Sequence, residues 1–264
     1  MDRRYDNPDR YARQTVFPEL GPVGQRKLTE SSVTILGVGG LGSWSAELLA
    51  RAGVGHLRLI DDDRVETTNL HRQAMYDEPD AEAEKLKVDA AAAKLVRMNR
   101  EIHVETVSER VDASNIAKAI GTPDLIMDGT DNFATRFVLN DYAVKHSIPW
   151  VFGGVVRGEG QVMSILPGRS PCLRCFQETP PPAGTEPRAV TAGVLGPAVA
   201  AISAIQAAQT IRILTKSVDI PAGRMILLDV WNLTARTMDM QAACRDVNCV
   251  CCQQKRFEFL SDAS

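Results

Sequence analysis

Four of the six cysteines stand in two C-x-x-C pairs, Cys172/Cys175 in "CLRC" and Cys249/Cys252 in "CVCC". Two such pairs far apart in sequence have the ligand spacing of a structural four-cysteine zinc site, each pair gripping the metal from one tight turn. A redox dithiol needs one pair alone and a thioredoxin-like setting. Cys244 and Cys251 lie beside the second pair. The first residues, "MDRRYDNPDR", lack the apolar stretch of a signal peptide. The cytoplasm is therefore the expected compartment, where cysteines bind metals or react more often than they form disulfides.

A second group of residues has phosphate chemistry. In "ILGVGGLGS" (35–43), Gly37, Gly39 and Gly42 satisfy G-x-G-x-x-G, and Gly40 opens the loop further. Backbone N–H groups and the dipole of the following helix make such a loop an anion cradle, and glycine lets phosphate come close. Asp61 follows at roughly the 20-residue interval of an acid that grips a ribose. This much fits a nicotinamide dinucleotide or another adenosine phosphate equally well. The stretch "DDDRVETTNLHRQ" (61–73) then adds Asp63, Asn69 and Arg72, with Lys85 and Lys87 beyond it. Cations suit a polyphosphate under cleavage, where catalysis is mainly electrostatic. In "DGTDN" (128–132) a carboxylate of Asp128 or Asp131 suits Mg²⁺, and the other is expected to cap the next helix. None of the four histidines has ligand spacing.

These residues need a frame. "VTIL" (33–36) and "LRLI" (57–60) read as buried parallel strands, joined through the helical "SWSAELLARAGVG" with its closing glycines. Next come an Ala-rich helix "KVDAAAAKLVRMN", a strand "IHVETV", a strand "DLIMD" breaking into the polar turn, a helix "FATRFVLNDYAVKHS" and a strand "PWVFGG". The alternation predicts an α/β, doubly wound, Rossmann-like sheet with ligands at the carboxyl ends of its strands. Beyond Gly154 the pattern changes. "GEGQVMSILPG" reads as a hairpin and the Pro-rich "ETPPPAGTEPR" as an exposed loop. The expected organisation is a single domain over 1–264: a helical arm over 1–30, a nucleotide-binding core over 31–154, and a C-terminal elaboration over 155–264 tied by the zinc site.

The bulk numbers bound the function. At 44% hydrophobic and 24% charged residues, the 264-residue chain is composed like an ordinary globular protein. A net charge of −3 gives no basic footprint for extended nucleic-acid binding. The uncharged run "AVTAGVLGPAVAAISAIQAAQTI" is built of small residues and holds Gln206 and Gln209, so it reads as a buried helix from near Pro197 and not a membrane span.

In order along the chain, "RYARQ", "GQRKL", "GVGGLGSWSAELLARAGVG", "DDDRVETTNLHRQ", "DGTDNFATR", "GEGQV", "CLRC", "AGVLGP" and "CVCC" resemble the ThiF/MoeB/HesA family of adenylyltransferases, relatives of the ubiquitin-activating enzymes. The resemblance implies that ATP with Mg²⁺ adenylates the C-terminal glycine of a ubiquitin-like sulfur carrier ending in Gly-Gly, releasing pyrophosphate. It implies that Asp61 binds the ribose, Asn69 and Arg72 the phosphates, and Asp131 the Mg²⁺. Arg13 would reach the polyphosphate from the other subunit of a homodimer. For the family's lysine, counting back from Asn99 within one helix favours Lys87, and counting forward from Asn69 favours Lys85. Many relatives have a cysteine shortly before "AGVLGP"; Ala189 stands there in this chain, which implies a separate sulfur donor or direct transfer of the adenylate to another acceptor. Competing expectations are an NAD-binding oxidoreductase on the same loop, a relative activating a carboxylate on modified tRNA, and a silent scaffold for a ubiquitin-like partner.

Overall fold

The computed structural model describes residues 10–182, 189–215 and 222–260. In chain order the elements are α1 (Ala12–Thr15), α2 (Gly21–Glu30), β1 (Ser32–Leu36), α3 (Gly40–Ala52), β2 (His56–Ile60), a 3-10 turn (Thr67–Asn69), α4 (Glu78–Glu82), α5 (Lys87–Met98), β3 (His103–Val107), α6 (Ile116–Ile120), β4 (Leu125–Asp128), α7 (Phe133–Lys145), β5 (Trp150–Val156), β6 (Glu159–Ile165), α8 (Leu173–Phe176), α9 (Ala189–Ala192), α10 (Gly196–Thr215), β7 (Arg224–Asp229), β8 (Thr234–Asp239) and α11 (Met240–Ala243).

All eight strands form one sheet in the order β3-β2-β1-β4-β5-β6-β7-β8. The first five are parallel; β6, β7 and β8 continue the sheet antiparallel. The C-terminal elaboration is thus partly an extension of the nucleotide-binding sheet itself. Chain order reverses between β1 and β4, and that reversal opens a crevice at the strands' carboxyl ends.

Both faces are covered over the middle of the sheet, which is why β1, β4 and β5 are largely apolar, while the edge strand β3 carries His103, Glu105 and Thr106. Val33, Ile35, Leu125, Met127 and Val151 face α2, α3, α5 and α10, while Leu36, Ile60, Ile126, Trp150 and Phe152 face α6, α7 and the cysteine-bearing segments. α10 is long and apolar enough to cross a membrane by length and composition. It packs instead against α3, β5 and β6, with Ser203, Gln206 and Thr210 buried. Gln206 Nε2 donates to the carbonyls of Asp128 (2.9 Å) and Val151 (3.3 Å), tying the helix to the sheet.

Two local expectations are corrected. "GEGQVMSILPG" is not a hairpin in itself: residues 159–165 are the single strand β6, which makes a hairpin with the preceding β5 and pairs on its other edge with β7. The helix after "DGTDN" is capped by Asn132, whose side-chain oxygen accepts from Thr135 N at 2.9 Å, and by neither aspartate. The expected Pro-rich loop falls outside the described residues over 183–188.

Candidate active site

The glycine loop leaves β1 at Gly37, whose φ of +86° no bulky residue adopts at ease. A Cβ on Gly42 would lie 1.9 Å from the Gly37 carbonyl oxygen, so the first turn of α3 closes only on glycine. The peptide of Val38 is held from both sides. Its N–H donates to Asp61 Oδ2 at 2.7 Å, and its carbonyl accepts from Tyr76 Oη at 2.7 Å. Asp61 Oδ1 accepts a second backbone N–H, from Asp63, at 2.9 Å. Burial pushes the Asp61 carboxyl above its ordinary range, an effect that Lys87 and these two N–H groups offset only in part.

Below this loop lies a cavity of about 1190 Å³ at the sheet's switch point. Gly37, Gly39 and Gly40 line it, as do Asp61, Asn69, Arg72, Lys87 and Asp131. Gly42 supports the loop from behind. Lys87 is 6% exposed, with Nζ 2.7 Å from Asp63 Oδ2. Lys85 is outside the cavity and pairs with Asp80 at 2.9 Å. Arg72 Nη1 donates to the Thr68 carbonyl at 2.8 Å, and Trp44 Nε1 donates to the Arg72 carbonyl at 3.1 Å. Asn69 Oδ1 and Gln73 Oε1 are buried acceptors with no partner among the described residues, and both residues line the cavity.

Asp128 and Asp131 have separate duties. Asp128 is fully buried; it accepts from Arg136 Nε (2.9 Å) and from the backbone and hydroxyl of Thr130 (3.0 and 2.7 Å). Arg136 also donates to the carbonyls of Thr130 (2.6 Å) and Gly153 (2.8 Å). This pair locks the turn that carries Asp131. Asp131 is exposed in the cavity, and no hydrogen bond reaches its carboxylate among the described residues. Its oxygens are the ones open to a hard cation.

On the sheet face covered by α6 and α7, the sulfurs of Cys172, Cys175, Cys249 and Cys252 lie within 4.8 Å of one another. Observed separations are 3.7 Å (Cys172–Cys249), 3.9 Å (Cys172–Cys175) and 3.4 Å (Cys175–Cys252). A tetrahedron of sulfurs about 2.3 Å from a metal has edges of about 3.8 Å, so four thiolates so placed fit one ion. Asn140 Nδ2 donates to Cys172 Sγ (3.8 Å) and Cys251 Sγ (3.3 Å), which uses Cys251 beside the cluster.

Residues 11–251 match the model of the ThiF family. The chain belongs to the ThiF family. It is 38% identical over 252 residues to the sulfur carrier protein ThiS adenylyltransferase of Bacillus subtilis, covering 96% of this chain and 74% of that protein. It is 38% identical to the SAMP-activating enzyme E1 of Haloferax volcanii, covering 87% and 84% respectively. Against adenylyltransferase and sulfurtransferase MOCS3 of Culex quinquefasciatus it is 37% identical over 92% of this chain, but spans only 55% of that longer protein. Among solved structures, E. coli MccB shares the fold with a TM-score of 0.82 at 24% identity, covering 96% of this chain and 76% of that one.

The ThiF-family motifs do not all meet at the cavity. The glycines, Asp61, Asn69, Arg72, Lys87 and Asp131 converge on the cavity. Arg13 does not. It is exposed on α1, which is fastened to the far end of α3 by Gln14 Nε2 donating to the Ala52 carbonyl at 2.9 Å. The 13 residues of α3 put that end about 20 Å from the glycine loop. Sequence reasoning passed over Arg136, which lines the cavity, and Tyr76, which does not; both hold its walls in place through their hydrogen bonds. Their signal was an arginine and a tyrosine just behind two polar turns.

Proposed function

We propose that this protein uses ATP to adenylate the C-terminal glycine carboxylate of a ubiquitin-like sulfur-carrier protein, releasing pyrophosphate. The observation that carries the reading is the single cavity that gathers an anion-binding helix start, the buried Lys87 ammonium, Arg72 and the open carboxylate of Asp131. An α-carboxyl titrates near pH ~3.5, so the carrier's attacking group is ionised without a general base. It attacks the α-phosphorus, a new P–O bond forms, and the bond to the β-phosphate oxygen breaks. Work then falls to charge. The glycine-loop N–H groups, Asn69, Arg72 and Lys87 hold the phosphates and meet the charge that shifts onto the leaving pyrophosphate. Asp61 takes the ribose. Asp131 would hold Mg²⁺, which when bound neutralises phosphate oxygens. Arg13 is supplied across a homodimer to the partner's site, in line with its distance from its own cavity.

The far wall of the cavity, with Leu227, Leu228, Arg236 and Met238 from β7 and β8, gives an extended Gly-Gly tail a path to the α-phosphate. No cysteine lines the cavity. Four form the cluster, suited to a structural Zn²⁺, and the sequence has none between Cys175 and Cys244. A separate donor then supplies the sulfur, or the adenylate passes straight to another acceptor. We place the enzyme in the cytoplasm, with a protein and not a nucleic acid as partner.

The test is exchange of labelled pyrophosphate into ATP. It should require a carrier ending in Gly-Gly and fail with the terminal glycine removed. Exchange that persists in Arg72→Ala and Asp131→Ala would refute the site, and saturable NADH binding with no competition from ATP would favour an oxidoreductase.

A further inference from the structure

Three aspartates follow β2, and the reaction above uses only Asp61. The first has both its oxygens engaged by backbone N–H groups. Asp62 makes no hydrogen bond or ion pair among the described residues. Asp63 alone is spent on a cation, its Oδ2 lying 2.7 Å from Lys87 Nζ.

The backbone fixes this pairing. Lys87 N donates to the Asp63 carbonyl at 3.0 Å and Val65 N to the Lys85 carbonyl at 2.9 Å, which zips residues 63–65 to 85–87. The two partners differ sharply in freedom. The Lys87 side chain is 6% exposed and that of Asp63 is 65% exposed. A desolvated ammonium needs a partner, since an unpaired buried charge is costly. An exposed carboxylate can turn to water and lose little.

We propose that Asp63 is the resident counter-ion of Lys87, a positioning residue that holds the ammonium at the cavity wall until the polyphosphate displaces it. This rests on Lys87 being a phosphate ligand. Asp63 therefore competes with ATP, and its removal acts in the opposite direction to removal of a phosphate-binding group. Asp63→Asn leaves the ammonium short of a counter-ion in the free protein, and ATP then relieves a larger deficit.

Calorimetric titration of the full chain with ATP and MgCl2 tests this without any carrier. Asp63→Asn should bind ATP roughly two- to five-fold more tightly, the range expected for a half-exposed ion pair. The charge-keeping Asp63→Glu should bind like the parent, and Asp62→Asn should tighten binding less than Asp63→Asn. Unchanged or weaker binding by Asp63→Asn, or equal tightening by Asp62→Asn, would overturn the counter-ion role. Lys87→Met separates the two claims. If it weakens ATP binding while Asp63→Asn fails to tighten it, only the counter-ion role falls; if it has no effect, the assignment of Lys87 to the phosphates falls with it.

Discussion

In the proposed reaction one side chain, Asp61, serves structure and ligand together. Its two oxygens each hold a backbone N–H, of Val38 and of Asp63, and each oxygen keeps a second lone pair, which in that proposal accepts from a ribose hydroxyl. Burial raises its pKa above the ordinary carboxylate range. The folded state then binds this proton more tightly than the unfolded chain does. The stability cost of the buried charge is full above the folded-state pKa and is relieved as pH falls through it. Binding has the opposite sign, because the protonated acid has lost acceptor capacity. Adenosine, which carries no titrating phosphate, should therefore bind progressively less well on acidification, beginning above the ~3.9 of an ordinary aspartate. Asp61→Asn should bind it weakly and with no such dependence. Calorimetric titration from about pH 4 to about pH 7, a range that brackets a raised carboxylate, would count against the dual role if the parent and variant profiles ran parallel.

At the scale of elements, the βαβ unit was legible because its constraints are local. Short runs dominated by branched apolar residues mark strands covered on both faces, even with Thr34 or Arg58 among them, and the glycines mark the places where chain passes chain. Gly53, with φ of +85°, ends α3 where the sequence pattern puts that end. What was not legible depended on partners distant in sequence. β6 looked like a hairpin because its pairing strand lies before the turn. β8 is exposed at all six positions and shows no apolar alternation, so nothing in its composition marks a strand. The cap of α7 fell to Asn132 because the helix starts at Phe133, which puts Asn132 and neither aspartate at the capping position; Asp128, further back, is claimed by Arg136. Arg13 marks another such limit, since its distance from its own cavity emerges only in three dimensions. The glycine loop makes the strongest prediction at this scale. Gly42→Ala would drive a methyl group into the Gly37 carbonyl, so it should cost more than about 3 kcal/mol and abolish thermal stabilisation by ATP. Gly168→Ala is the fitting comparison, with φ of +78° but no atom within 4 Å. It should cost about 1–2 kcal/mol and leave ATP binding intact. Equal ATP protection of the two variants would show that the loop does not need its close approach.

Over the whole molecule, α7 joins two regions of different chemistry. Its first turn follows Asp131 and Asn132 in the cavity wall, and its later residues Asn140 and Asp141 hold the C-terminal segment. Asn140 donates to Cys251, while Asp141 Oδ2 accepts from Phe259 N at 3.0 Å and faces Arg174 at 3.7 Å. Arg174 in turn pairs with Glu258 at 2.8 Å. A metal in the four-cysteine cluster would cross-link positions 77 residues apart. By the loop-entropy reasoning used for disulfides, closing such a loop stabilises by about 4 kcal/mol. For a chain of this size that corresponds to a Tm change of about 10 °C. The cavity and the cluster share no residue. Treatment with a strong chelator, or Cys249→Ser, should therefore lower Tm by about that amount and expose the segment after Ala243 to protease. The ATP affinity should change less than about two-fold, because the switch-point crevice is built from the strand ends and not from the tail. Metal analysis should find one zinc ion per chain before treatment, as four thiolates in one tetrahedron require. Loss of ATP affinity in step with zinc would mean that α7 transmits the state of the cluster to Asp131, and the two regions would then be one functional unit.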